Sequence, residues 1–198
     1  MRNSRSFIAG MAETHNKALF LDRDGTLNVD TCYVCEPDKM ILIPGVRDAL
    51  VRARAMGFRF YMVTNQSGVG RGYFTIDDVH ACNRRLLEML DLGEDLFAGI
   101  CIAPEHPDEP GEYRKPSPKY LLEMITRDQL DPAQCYMLGD RRSDWQCGLN
   151  AGVNPVALRT GNDFDSKAEA LIAEHGIPVW DSLAEFVSAL ERGGDGRD

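Results

Sequence analysis

The sequence predicts an α/β fold in which a doubly wound parallel sheet carries helices on both faces. Short apolar runs that suit buried strands alternate with stretches that suit amphipathic helices of about 10–15 residues. Several of these apolar runs end in polar residues, and the chain of 198 residues is long enough to bury a substantial core. Right-handed crossovers between parallel strands would bring those polar residues to one edge of the sheet, where ligands bind in such folds.

The predicted elements follow one another in this alternating order. The first strand covers residues 17–22 and stops at an acidic residue, and Gly57 ends a helix over 45–56. Thr75 and Asp78 have the spacing of a capping box that opens a helix reaching about residue 91. The other predicted elements are strands over 58–64, 97–102, 134–138 and near 153–158, helices over 117–130 and near 143–151, and a final pair of helices.

Composition and charge exclude several classes of function. Lys and Arg number 22 against 31 Asp and Glu, and the net charge of −9 argues against a nucleic-acid-binding protein, because such a protein needs a basic face. No apolar run reaches the length of about 18 residues that a membrane span needs. The six cysteines come without an export signal, which favours reduced thiols. We therefore expect a cytoplasmic monomer or small homo-oligomer that acts on a small molecule.

The domain organisation is predicted to be simple. One domain is expected over residues 17–192, after a disordered or loosely attached segment over 1–16. A frayed tail is expected over 193–198.

Two carboxylates follow the first strand. Asp22 and Asp24 are separated by one residue and followed by Gly25, and carboxylates this close repel each other unless a cation lies between them. Oxygen ligands suit Mg²⁺, so the pair is a candidate metal site. The alternative for a bare Asp-x-Asp is a solvated turn in which one aspartate caps a helix.

Two further groups could bind an anion. Thr64 and Asn65 end the second strand before a glycine-containing turn, which suits a phosphate nest or a plain hydrogen-bonded turn. Arg114 and Lys115 are predicted to open the helix over 117–130. Two cations at a helix start oppose the helix dipole and favour an anion between them, although a solvated basic pair fits as well.

A third acidic position follows the fourth strand. Asp140 comes directly after that strand's apolar run and a glycine. Asp144 follows four residues later, where it either orders metal-bound water or caps the next helix.

In this order the motifs resemble the signatures of the haloacid dehalogenase superfamily of phosphotransferases. The resemblance rests on the Phe-Leu-Asp-Arg-Asp-Gly-Thr-Leu run at 20–27 and on Thr64, Lys115 and Asp140. It implies a Rossmann-like fold without a large cap domain, and phosphoryl transfer through an aspartyl-phosphate. By this resemblance Asp22 is the nucleophile and Asp24 the general acid and then base.

The same resemblance implies the remaining chemistry of the site. Thr64 and Lys115 are expected to bind the transferring phosphoryl group. Mg²⁺ is expected to be held by Asp22, the Asp24 carbonyl and Asp140.

A closer resemblance is to the heptose bisphosphate phosphatase family, which is itself close to the histidinol-phosphatases. It covers residues from about 17 to 190, and the stretches that carry it are 27–30, 33–34, 64–75 and 114–116. It implies a sugar phosphate as substrate. The substrate-binding set implied by it is Asp30, Tyr33, Asn65, Gln66, Ser67, Arg114 and Arg141.

One departure from that family concerns zinc. The family usually has a structural zinc before the Arg-Lys-Pro motif, with ligands spaced Cys-x-His and then Cys-x-Cys. Here Cys101 stands at the first position, and the other three positions hold Ala103, Gly111 and Tyr113. One thiolate cannot form a tetrahedral site, so structural zinc is not expected. A rescue by His106, or by the two cysteines near residue 33, stays open.

The sequence therefore predicts a Mg²⁺-dependent phosphomonoesterase, with a heptose 1,7-bisphosphate as the substrate that the resemblance implies. One alternative is a phosphatase of histidinol phosphate or another sugar phosphate. The other is a phosphosugar-binding module that has lost catalysis. The presence of Asp22, Asp24 and Lys115 favours an enzyme.

Overall fold

The computed structural model describes residues 16–109, 111–161 and 164–193. The predicted terminal segments, 1–16 and 193–198, lie outside the described residues except for Asn16 and Gly193. Asn16 is tied to the body of the protein, because its carbonyl accepts a hydrogen bond of 2.7 Å from the Asp131 N–H.

Six strands form one parallel sheet in the order β3-β2-β1-β4-β5-β6. The order reverses at β1, so the connections after β1 and β4 leave the sheet on either side of a crevice. This confirms the doubly wound parallel sheet that the sequence predicts. The strands are β1 (Lys17–Leu21), β2 (Phe58–Asn65), β3 (Gly99–Ala103), β4 (Cys135–Gly139), β5 (Asn154–Leu158) and β6 (Val179–Trp180).

Seven α-helices accompany the sheet in the described residues. They are α1 (Val46–Ala55), α2 (Ser67–Gly70), α3 (Ile76–Leu90), α4 (Lys119–Asp128), α5 (Arg142–Ala151), α6 (Ser166–His175) and α7 (Leu183–Glu191). The capping box of α3 is confirmed: the Thr75 N–H donates to Asp78 Oδ2 at 2.8 Å, and the Asp78 N–H donates to Thr75 Oγ1 at 3.3 Å. Among the described helices none has the length and apolarity to cross a membrane.

The core lies on both faces of the sheet. Leu19 and Leu21 of β1 pack into one apolar cluster with α1, α3 and α7, whereas Ala18 and Phe20 pack into a second cluster with α4 and α5. Alternate residues of a strand point to opposite faces, so a strand covered on both sides must be apolar throughout. This is why the strands are continuous apolar runs in the sequence.

The start of α4 differs from the sequence-based expectation. Arg114 and Lys115 do not open this helix, which begins at Lys119. They lie in a turn in which the Ser117 N–H donates to the Arg114 carbonyl at 2.9 Å. Pro116 explains the difference, because a proline disfavours helical backbone at the residue before it. The expectation that this basic pair acts against the helix dipole is therefore wrong.

Among the strands and α-helices of the described residues, two short elements are absent from the sequence prediction. They are β6, with two residues, and α2, with four. Neither is long enough to produce a periodic pattern. No large cap covers the carboxyl edge of the sheet in the described part of the chain, as the sequence predicts.

Candidate active site

A cavity of about 330 Å³ opens at the carboxyl edge of the sheet. The loops after β1, β2 and β4 and the turn before α4 meet there. All the residues predicted to be catalytic or substrate-binding line this cavity: Asp22, Asp24, Asp30, Tyr33, Thr64, Asn65, Gln66, Ser67, Arg114, Lys115 and Arg141. Cys32 and Ser143 line it as well and were not predicted, although each lies within two residues of a predicted one.

Lys115 is the central cation of the cavity. Its Nζ lies 2.8 Å from Asp22 Oδ1 and 2.7 Å from Asp144 Oδ1, and it donates a hydrogen bond of 2.7 Å to the Val63 carbonyl. Burial acts to lower the pKa of Lys115, but the two carboxylates outweigh it and hold the pKa above its usual value. The ammonium group therefore stays charged and fixes Asp22 to the end of β2.

Asp22 sits at the point where β1 leaves the sheet. Its N–H donates to the Leu138 carbonyl of β4 at 3.0 Å, and its Oδ1 accepts the Arg23 N–H at 2.8 Å. Burial raises the pKa of Asp22 to about 8; Lys115 opposes this rise, and the charges of Asp144 and Asp140 add to it. The carboxyl group thus lies in a place where another positive charge would favour its ionised form.

Three carboxylates meet beside this lysine. Asp22, Asp140 and Asp144 each offer an oxygen, and these oxygens all lie within 4.8 Å of one another. This is the one group of three or more acidic, histidine or cysteine ligands among the described residues. Three carboxylates against one lysine leave an excess of negative charge, and an all-oxygen donor set suits Mg²⁺. The residues therefore fit the metal that the sequence predicts.

Two glycines make room for the Asp140 carboxylate. A β-carbon at Gly25 would lie 2.6 Å from Asp140 Cγ, and one at Gly161 would overlap Asp140 Oδ2. Gly25 also has a φ of +76°, which favours glycine. The carboxylate is thus wedged between two backbone segments, and its position is set by the absence of side chains on both.

Asp144 has two partners that explain its burial. Its Oδ2 accepts the Arg141 N–H at 3.0 Å, which caps the first turn of α5, and its Oδ1 pairs with Lys115. The capping role left open by the sequence is present. The pairing with the lysine had no sequence signal, because it joins residues from different loops.

Asp24 accepts four hydrogen bonds. Its Oδ1 accepts from Arg23 Nε at 3.2 Å and Asn28 Nδ2 at 2.9 Å, and its Oδ2 accepts from Arg23 Nη2 at 2.8 Å and Gln66 Nε2 at 2.9 Å. Gln66 Nε2 also donates to Thr64 Oγ1 at 2.8 Å. Gln66, expected to bind substrate, thus uses its amide to fix the two neighbouring groups.

Asn65 uses its whole amide on the lysine's backbone. Its Nδ2 donates to the Lys115 carbonyl at 3.1 Å, and its Oδ1 accepts the Lys115 N–H at 3.0 Å. The side chain lines the cavity but both of its polar atoms are engaged. This arrangement fits a role in holding Lys115 better than the predicted contact with substrate.

The two arginines at the cavity differ in their hydrogen bonding. Arg141 Nη2 pairs with Asp30 Oδ2 at 2.7 Å across the rim. Arg114 Nη1 is buried and makes no hydrogen bond to the described residues. Burial lowers the pKa of Arg114, Glu105 opposes this effect, and the nearby Arg71 adds to it. Arg114 is therefore the candidate for binding an anionic part of a ligand.

Of the four positions that would hold zinc in the family, one has a metal-binding side chain here, that of Cys101. Cys101 is buried on β3, and burial raises the pKa of its thiol to about 11. The Tyr113 hydroxyl donates to Glu123 at 3.2 Å, and a β-carbon at Gly111 would lie 2.7 Å from the Arg114 Cβ. The absence of zinc stays a prediction.

Arg23, Asn28 and Asn83 are the functional candidates that sequence reasoning missed. Arg23 and Asn83 are buried polar residues whose side chains bond each other at 3.0 Å. The one available signal was an arginine between the two aspartates of the first motif, because an arginine that is buried there needs partners.

Comparison with known proteins places these features in a family. A HAD-hydrolase-like family model matches residues 112–186. The chain is 40% identical over 188 residues to D-glycero-beta-D-manno-heptose-1,7-bisphosphate 7-phosphatase of Haemophilus influenzae, covering 89% of this chain and 98% of that protein. It is 41% identical over 183 residues to the protein of the same name from Yersinia pestis, covering 88% and 95%.

A solved structure agrees. D,D-heptose 1,7-bisphosphate phosphatase from B. bronchiseptica, crystallised with magnesium and phosphate, superposes with a TM-score of 0.78 at 29% identity over 90% of this chain and 99% of that one. The chain therefore belongs to the heptose bisphosphate phosphatase family of HAD-like hydrolases.

Proposed function

We propose that this chain removes the 7-phosphate from D-glycero-D-manno-heptose 1,7-bisphosphate and releases inorganic phosphate. The observation that carries the proposal is the arrangement of Lys115 Nζ 2.8 Å from Asp22 Oδ1, next to the two carboxylates of Asp140 and Asp144. The names of the relatives supply the substrate. The relatives from Haemophilus influenzae and Yersinia pestis, at 40% and 41% identity, carry the beta anomer in their names, which favours that anomer.

The first step transfers the phosphoryl group to the protein. An oxygen of the Asp22 carboxylate attacks phosphorus in line, the bond from phosphorus to the sugar oxygen breaks, and Asp24 gives that oxygen a proton. The Thr64 hydroxyl and Lys115 ammonium stabilise the negative charge of the phosphoryl oxygens. Asp22, the Asp24 carbonyl and Asp140 would hold Mg²⁺, which when bound would supply further positive charge at this site.

The second step restores the protein. Asp24, now a carboxylate, takes a proton from water as the water attacks phosphorus, and the bond to Asp22 breaks to release phosphate. Little else is needed, because phosphoryl transfer depends mainly on positioning and charge stabilisation. Arg114, whose buried Nη1 has no partner among the described residues, is the proposed ligand of the second phosphate.

The test is a comparison of substrates. Phosphate release would be measured from both anomers of the heptose 1,7-bisphosphate, from fructose 1,6-bisphosphate and from histidinol phosphate, with Mg²⁺ or with EDTA. We expect Mg²⁺-dependent turnover with kcat/KM at least about tenfold higher for the heptose substrate, a modest difference in binding energy. A preference for histidinol phosphate would favour the alternative phosphatase, and binding without turnover would favour a phosphosugar-binding module.

Asp22→Asn tests the nucleophile. We expect it to abolish turnover and leave the fold intact, since the amide fits the same space. Asp48→Asn is the matched control, because Asp48 lies on α1 with an 81% exposed side chain. Wild-type turnover by Asp22→Asn would refute the assignment.

We also propose that the chain needs no structural zinc, because only Cys101 of the four family positions keeps a metal-binding side chain. Elemental analysis of protein purified without chelators checks this. About one equivalent of zinc per chain would overturn it.

A further inference from the structure

We propose that Arg23 and Asn83 form a buried pair that positions the Asp24 carboxylate for proton transfer to the leaving group. This inference rests on the proposed phosphatase function, in which Asp24 is the general acid. Neither residue lines the cavity, so each acts through Asp24 rather than on the substrate.

The Arg23 guanidinium is held on every side. Its side chain is 0% exposed, and its Nε and Nη2 donate to the two oxygens of Asp24 at 3.2 and 2.8 Å. Its Nη1 donates to Asn83 Oδ1 at 3.0 Å, and its Nη2 also lies 3.4 Å from the Val34 carbonyl. The planar fork thus fixes both carboxylate oxygens at once, which a single ammonium group cannot do.

The backbone explains how these two consecutive residues pair. The Arg23 carbonyl accepts from the N–H groups of Leu27 and Asn28 at 2.9 and 3.1 Å. This tight turn brings the side chains of Arg23 and Asp24 to the same side of the chain. The same turn lets Asn28 Nδ2 reach Asp24 Oδ1.

Asn83 closes the arrangement from the opposite side. It lies on α3 and is 5% exposed, and its Oδ1 points at Arg23 from 60 residues away in the sequence. A buried arginine is costly unless its charge and its hydrogen bonds are satisfied. Packing alone would be served by an apolar side chain in this place, so the polar pair indicates that the orientation of Asp24 matters.

The chemistry gives this role a distinctive signature. A phenolate with electron-withdrawing groups leaves without a proton, whereas a sugar oxygen needs one from a general acid. Displacing Asp24 should therefore slow cleavage of sugar and phenyl esters more than cleavage of p-nitrophenyl phosphate. A loss of general stability would slow all of them alike.

The experiment measures kcat/KM for p-nitrophenyl phosphate, phenyl phosphate and heptose 1,7-bisphosphate in Arg23→Lys and Asn83→Ala. This quantity reports the steps up to the first irreversible one, the transfer to Asp22. We expect a loss of about 10–100-fold for the poorer leaving groups and under about threefold for p-nitrophenyl phosphate, as for a misplaced catalytic group. In these variants kcat/KM therefore falls more steeply with rising pKa of the leaving group than it does in the unaltered protein.

Three further variants and measurements complete the test. Asn83→Asp keeps an acceptor for Arg23, so kcat/KM should depend on the leaving-group pKa as weakly as in the unaltered protein. Arg52→Lys is the matched control, since Arg52 joins α1 to α7 through Ser188 and Glu191 and does not line the cavity. Thermal unfolding shows whether Arg23→Lys folds, and Asn83→Ala carries the test if it does not.

The outcomes separate the two proposals. An equal loss on all three esters would overturn the positioning role. Failure of the unaltered protein to hydrolyse heptose 1,7-bisphosphate would refute the proposed substrate, while the two aryl esters would still measure the effect of Arg23 and Asn83.

Discussion

Replacing Lys115 by methionine should destabilise the metal-free protein severely. Lys115 is 1% exposed and pairs with two carboxylates that are themselves buried, Asp22 and Asp144. Breaking a buried ion pair by removing one partner costs about 3–5 kcal/mol, because a buried charge is left uncompensated. For a chain of this size, 1 kcal/mol lowers Tm by about 2–4 °C, so Tm should fall by about 6–20 °C.

The fall in Tm caused by Lys115→Met should grow with pH. Burial raises the pKa of Asp22 from 3.8 to about 8 although Lys115 opposes the rise, so the pKa rises further when Lys115 is removed. A group whose pKa is higher in the folded state adds stability that is complete below its unfolded pKa and is lost as pH rises through its folded pKa. In Lys115→Met the stability linked to Asp22 therefore continues to fall up to a higher pH than in the unaltered protein. The difference in Tm should therefore be larger at about pH 9 than at about pH 6.

The assay is thermal unfolding followed by circular dichroism in EDTA at both pH values. Lys119→Met is the matched control, because Lys119 pairs with Glu112 on the surface and an exposed ion pair contributes about 1 kcal/mol or less. A fall in Tm for Lys115→Met no larger than that of the control would refute the reasoning, as would a deficit that shrinks at high pH.

Other predictions follow from single contacts. Asn65→Ala removes both hydrogen bonds to the backbone of Lys115. We expect kcat to fall about 10–100-fold for every ester while KM stays within about threefold, because Lys115 is then less well positioned. A change in KM alone would contradict this. Gly161→Ala places a methyl group against the Asp140 carboxylate and should displace it. A Mg²⁺ titration should then show that the affinity for Mg²⁺ is about 10–100-fold lower. An unchanged affinity for Mg²⁺ would count against Asp140 as a ligand. Cys32 and Cys35 should react with a thiol reagent at about pH 8. The other four thiols are buried, and burial raises their pKa values, so they should react only in denaturant. Fast labelling of more than two cysteines in the folded protein would refute this.

The convergence of the site was predictable because sheet topology alone requires it. Asp22, Thr64 and Asp140 each follow a buried apolar run, and parallel strands carry such positions to one edge. The carboxylates at these positions suggested a Mg²⁺ site, and the resemblance of the ordered motifs to the haloacid dehalogenase superfamily implied the phosphatase class. Gly57 and Thr75 also marked helix boundaries correctly, because glycine and capping residues act within one turn.

The contacts within the site could not be predicted in the same way. Asn65 stands at a strand end, where an amide suits a phosphate nest and a backbone clamp equally well, and only the position of Lys115 decides between them. The pair formed by Arg23 and Asn83 joins a loop to a helix through side-chain hydrogen bonds, which leave no periodic pattern. Pro116 is the local signal that keeps Lys115 out of the helix, because a proline disfavours helical backbone at the residue before it, and α4 begins at Lys119.

The lack of a large cap over the carboxyl edge, in the part of the chain that the structure describes, bears on the acceptor in the proposed second step. Asp22 is largely buried at the wall of the cavity, so an aspartyl-phosphate formed there would meet only the molecules that enter that cavity. Water is far more concentrated than any alcohol dissolved in it. We therefore expect hydrolysis to prevail over transfer of the phosphoryl group to a second metabolite.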